Sequence, residues 1–200
     1  MEYKNKLLIS VILLFSLFGC GGSDEKNEII GPEYAFIVYY DGTGQNDDEY
    51  DGIVITTNGD VSYFSGLIDE SSYILSGYWA PERSPQYSND EILAVIQEGR
   101  VNIDTVNTEI LDRYINLADK LNHDNLVSTN TRSDSGTIQV LYLNYDVNLK
   151  LYQPILIEAV GGVYVENLSP EAPELVSWLQ QYIIEQNVGK GLYIQTHPDF

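Results

Sequence analysis

Ile53-Val54-Ile55-Thr56-Thr57, Asn58-Gly59 and Asp60-Val61-Ser62-Tyr63-Phe64 follow one another without interruption. Asn-Gly between two β-favouring segments takes the positive φ values of a type I′ turn, so the spacing predicts an antiparallel hairpin. Ahead of it, Tyr34-Ala35-Phe36-Ile37-Val38-Tyr39-Tyr40 is rich in β-branched and aromatic residues, and Asp41-Gly42-Thr43-Gly44 breaks it. It reads as a buried strand. Tyr73 to Trp79 has the composition of a further strand, leading into a loop with Pro81 and Pro85.

Helical signals come next. Ser88-Asn89-Asp90-Glu91 is a capping box, with Tyr87 and Ile92 placed as a hydrophobic staple and Gly99 as a left-handed stop. Ile110, Leu111, Tyr114, Leu117, Ala118 and Leu121 recur at helical spacing and predict an inward-facing helix over Thr108 to Leu121. Asn122 to Ser135 is polar and reads as loop. Thr137 to Asn144 returns to strand composition, and Leu149 to Ala159 and Val163 to Glu166 flank a turn at Val160-Gly161-Gly162. Pro154, which has no amide to donate, argues for an edge or a bulge in that first arm. A last helix is expected after Asn167-Leu168-Ser169-Pro170, with Ser169 as cap and an apolar stripe through Leu175, Val176, Leu179 and Ile183. Strands, two helices, strands and a helix make an α+β fold, a mostly antiparallel sheet of hairpins with about three helices packed against it.

The start of the chain is of another kind. Lys4 and Lys6 precede an apolar run, Leu7 to Phe18, which is too short to span a bilayer and has the form of a secretory signal. The run closes on Leu17-Phe18-Gly19-Cys20. That ending resembles the lipobox of bacterial lipoproteins, and the resemblance implies acylation of Cys20 as the first mature residue. In Gram-negative sorting Asp after that Cys retains a lipoprotein at the inner membrane; Gly21 here implies the outer membrane. Ser23-Asp24-Glu25 resembles the acidic export tag of Bacteroidetes surface lipoproteins, which implies surface exposure. The expected organisation is a signal peptide over 1–19, a flexible tether over 20–33 and one globular domain over 34–200. Tyr39-Tyr40-Asp41-Gly42-Thr43-Gly44, Asp134-Ser135-Gly136-Thr137 and Glu166-Asn167-Leu168-Ser169-Pro170-Glu171-Ala172 are similar to motifs of small bacterial lipoproteins without assigned activity.

Charge narrows the partners. Of 200 residues, 30 are Asp or Glu and 10 are Lys or Arg, a formal net charge of -20. Phosphate backbones are bound by Lys and Arg, so nucleic acid is not an expected partner. One Cys and two His leave no disulfide scaffold and no Cys/His zinc site to expect. No cofactor is expected either. Asp47-x-Glu49-x-Asp51-Gly52 matches the first half of a calcium loop. The position of the bidentate Glu holds Asn58, and a strand follows instead of a helix, so Asp47, Glu49 and Asp51 read as a solvated acidic turn before a metal site. His123 and His197 each have an Asp nearby, but no Gly-x-Ser-x-Gly presents a nucleophile. Sixteen tyrosines are the remaining excess. Tyr78-Trp79, with Tyr87, is the candidate recognition loop, since flat rings with a polar tip suit glycan or peptide surfaces. The sequence therefore predicts an envelope-anchored binding or accessory module, the alternative being a carboxylate-dependent hydrolase acting on glycans.

Overall fold

The computed structural model describes residues 31–42, 49–67, 85–129 and 136–191, all within the compact unit Gly31–Phe200. Among the described residues, β1 (Tyr34–Asp41), β2 (Glu49–Thr56), β3 (Asp60–Leu67), β4 (Val101–Thr105), β5 (Leu126–Thr129), β6 (Thr137–Asp146), β7 (Leu151–Gly161) and β8 (Tyr164–Asn167) form one sheet. Its order is β4-β3-β2-β1-β6-β7-β8-β5, and every neighbouring pair is antiparallel. Among the same residues, three α-helices, α1 (Asn89–Ile96), α2 (Thr108–Ala118) and α3 (Ala172–Glu185), pack against it. This is the expected α+β architecture, with helices on both faces of the sheet.

That double cover explains why β1 reads as an unbroken apolar run. Phe36, Val38 and Tyr40 enter the core shared with Leu111 of α2 and Leu175 of α3, whereas Ile37 and Tyr39 enter the core shared with Ile92, Val95 and Ile96 of α1. Alternation along a strand sends successive side chains to opposite faces, and a register shift between Tyr34 and Phe36 puts Ala35 and Phe36 in the same core.

The hairpin forms where the sequence places it, but its turn differs. Gly59 N–H donates to Thr56 C=O at 3.0 Å, and among the non-glycines described only Lys150 and Asn187 have positive φ. Asn58 is therefore not left-handed. The loop is Thr57-Asn58-Gly59 with Gly59 alone at φ 96°, the three-residue form that ends in a bulge. Neighbours impose it: Thr57 N–H donates to Glu33 C=O and Val106 N–H donates to Gly59 C=O.

Ser88 and Glu91 close the capping box at the start of α1 in both directions, and Tyr87 and Ile92 both lie in the α1-side core. On α2, Leu111 and Ala118 are buried but Ile110 is half exposed, one position off the inward stripe. Ser169 is not the cap of α3. Its hydroxyl accepts from Asn122 N–H at 2.9 Å, and α3 begins after Glu171 with Pro173 in its first turn. Two short strands, β4 and β5, lie where no strand was expected. They are edge strands with little burial, held by pairing with β3 and β8. Pro154 sits where β7 has β6 beside it but not β8, whose pairing is confined to Glu158 and Ala159.

Candidate functional site

Where β1 ends and β2 begins, the sheet carries a cleft of about 450 Å³. Tyr40 pairs with Asp51 and Asp51 with Ser65, so the three stand in one row across β1, β2 and β3. Glu49 and Leu67 make the next row outward. Tyr50, Gly66 and Glu98 join the lining from the α1 side, and Gln186 and Asn187 from the turn after α3. Alternation again explains the sides: Tyr50 packs in the α1 core, so Glu49 and Asp51 point to the other face.

Asp51 organises the floor. One carboxylate oxygen accepts from Gly189 N–H at 3.0 Å and the other from the Tyr63 hydroxyl at 3.2 Å. Burial pushes the Tyr63 hydroxyl above its usual range, and the charge and hydrogen bond of Asp51 push it further. The Gly189 amide reaches Asp51 because the chain turns back after α3 through left-handed Asn187, φ 54°, and Gly189, φ 63°. On the α1 side, the Tyr50 hydroxyl donates to Val95 C=O at 3.0 Å. A β-carbon on Gly66 would lie 2.6 Å from both Glu98 Oε2 and the Tyr50 hydroxyl oxygen. Glycine is required there for the two groups to close over the strand.

Of the residues singled out in the sequence, Cys20, Asp47, Tyr78, Trp79 and His197 lie outside the described residues. Glu49 and Asp51 do meet in a site, as two rungs of the cleft wall. Among the described residues, no three His, Cys, Asp or Glu side chains gather as metal ligands. Tyr87 is away from the cleft. It is buried, and its backbone exchanges two hydrogen bonds with Tyr152, at 2.9 and 2.7 Å. His123 is a partly exposed residue beside Asp124. Tyr63, Ser65, Gly66, Glu98, Gln186 and Asn187 were not visible as site residues, since strand register and the landing point of α3 bring them together. The only advance signal was the density of Tyr and acids between Tyr39 and Tyr63.

The chain enters the sheet at the other end. Glu33 N–H and Tyr34 N–H donate to the Tyr152 hydroxyl at 2.7 and 3.2 Å, and the Thr57 hydroxyl donates to Pro32 C=O at 2.7 Å. The eight residues of β1, roughly 25 Å at the strand rise, separate this root from the cleft. Comparison of the chain with protein-family models, curated proteins and solved structures found no match.

Proposed function

We propose that the protein is a lipid-anchored module of the bacterial outer membrane, tethered through Cys20, that binds a glycan or peptide in the cleft of Tyr40, Asp51, Tyr63 and Glu98. One observation carries the binding reading: a concave site of about 450 Å³ that combines tyrosine rings with the carboxylates of Glu49, Asp51 and Glu98. Such a lining offers hydrogen-bond acceptors and the partly exposed ring of Tyr63 to a ligand rich in O–H or N–H donors.

Hydrolysis of glycans is the second reading. It requires one carboxyl in dry surroundings that keep it protonated. Glu49 and Glu98 are exposed, and Asp51 accepts two hydrogen bonds as a carboxylate would. Binding is the better supported of the two.

Two experiments test these statements. Metabolic labelling with a fatty-acid analogue should mark the wild type and not Cys20→Ala; equal labelling removes the anchor. The full chain in detergent, applied to glycan and peptide arrays with turnover followed in the same wells, should retain ligand without consuming it. Turnover that disappears in Asp51→Asn would replace the module by the hydrolase.

A further inference from the structure

We propose that the tip of the β6–β7 hairpin, Val147 and Leu149, is a second membrane contact that stands the anchored domain on its root, with the cleft directed away from the bilayer. The proposal rests on the reading of Cys20 as an acyl anchor.

Position is the first argument. Phe36, near the start of β1, pairs with Tyr142, and β6 continues for four more residues to Asp146 before the chain turns. The tip therefore projects at the end of the sheet where Glu33 and Pro32 are held, and β1 leads from there to Tyr40 in the cleft. Ten residues lie between Cys20 and Gly31, and a chain of that length reaches at most about 40 Å even when fully extended. The root, and the hairpin tip with it, would stay within that distance of the lipid.

The chemistry of the tip is the second. Val147 is 67% exposed and Leu149 55% exposed, among the most exposed large apolar side chains described. Insertion of a turn into a membrane interface is costly when its backbone amides lose water without a partner. Three of them here have partners already. Asp146 Oδ1 accepts from Asn148 N–H at 2.8 Å and from Leu149 N–H at 3.1 Å, and Asp146 C=O accepts from Lys150 N–H at 2.8 Å. Lys150 adopts φ 55°, which closes the turn and leaves both apolar side chains outward. Two such side chains bind lipid weakly on their own, but a tether raises their effective concentration at the surface into the millimolar range. With a net charge of -20 over the full sequence, the protein is repelled by anionic lipid, so the contact must be apolar and favour zwitterionic surfaces.

The acylated full chain leaves no free thiol of its own, because its one Cys carries the lipid. Leu149→Cys and, as the outward reference, Leu67→Cys can each be labelled with a fluorophore and reconstituted on phosphatidylcholine vesicles containing a nitroxide-labelled phosphatidylcholine. Quenching at position 149 is expected to exceed that at 67 severalfold, to fall by about half when Val147→Asp is added, and to weaken as anionic lipid replaces zwitterionic lipid. Equal quenching at 149 and 67, in protein that floats with the vesicles, would overturn the hairpin contact and leave the anchor standing. Failure to float would remove the anchor and the proposal together. Quenching that grows with anionic lipid would assign the contact to Lys150 and overturn the apolar one.

Discussion

Gly52 and Phe64 face each other across β2 and β3, and the Phe64 ring occupies the space that a side chain on Gly52 would fill. A β-carbon there would lie 2.5 Å from Phe64 Cζ and 2.2 Å from Val38 C=O. An aromatic ring laid over a strand glycine covers backbone that is otherwise unprotected. Gly52→Ala is therefore expected to destabilise the fold by about 3 kcal/mol, the upper range for overpacking, because a backbone oxygen has to move as well as a ring. Gly31→Ala, which meets nothing within 4 Å, should be neutral to within about 0.5 kcal/mol. Urea unfolding of both variants checks the contrast.

The Tyr152 hydroxyl joins three elements: it accepts from Glu33 and Tyr34 N–H and donates to Asn89 Oδ1 at 2.6 Å, at the start of α1. Tyr152→Phe keeps the ring but leaves the buried Tyr34 amide and the Asn89 oxygen without it. A loss of about 1–3 kcal/mol is expected, the cost of unsatisfied buried groups. Hydrogen exchange should show the Tyr34 amide and the first turn of α1 losing protection more than β7 itself.

Trp178 of α3 lies flat on Tyr114 of α2, ring centroids 4.0 Å apart at 4°, and meets Phe36 of β1 edge-on at 5.3 Å. This cluster binds both helices to the sheet. Trp178→Ala should cost about 3–5 kcal/mol. A double-mutant cycle between Tyr114→Ala and Trp178→Phe should return a coupling of about 0.5–1.5 kcal/mol, the range for aromatic pairs.

Alkaline pH should weaken the fold through buried tyrosines. Burial raises Tyr142, and its hydrogen bond to Asp119 raises it further. Tyr164 is pushed up to about 12 by burial, by its hydrogen bond to Glu166 and by the nearby charges of Glu158 and Glu166. Above about pH 10, tyrosines of the unfolded chain release protons that the folded chain retains, so stability falls as pH rises. The contribution is complete below about pH 10 and is lost on the way to about pH 12. Urea midpoints between pH 8 and 11 should trace this decline, and Tyr142→Phe should start lower at pH 8 and fall less steeply.

Local signals in the sequence carried far because each is settled within a few residues. The Ser88–Glu91 box, the run at Tyr34 and the hairpin around Gly59 depend on side chains that reach their own backbone or on alternation within one strand. Where a neighbour distant in sequence decides, the reading departed from the structure. Val106 and Glu33 reshaped the Asn58-Gly59 turn, Asn122 claimed the Ser169 hydroxyl, and β4 and β5 exist only through β3 and β8.

The candidate site divides in the same way. Acidic and tyrosine content near Asp51 was legible, because composition is a property of the chain itself. That Glu49 and Asp51 face α3 while Tyr50 faces α1 follows from register, and that Gly189 lends its amide to Asp51 follows from where α3 ends. By itself the sequence determined the three helices, the strands other than β4 and β5, and an α+β arrangement with a mostly antiparallel sheet. Tertiary structure decided which face each helix covers and which side chains meet in the cleft, since long-range packing, and not local propensity, selects one register and one docking of α3.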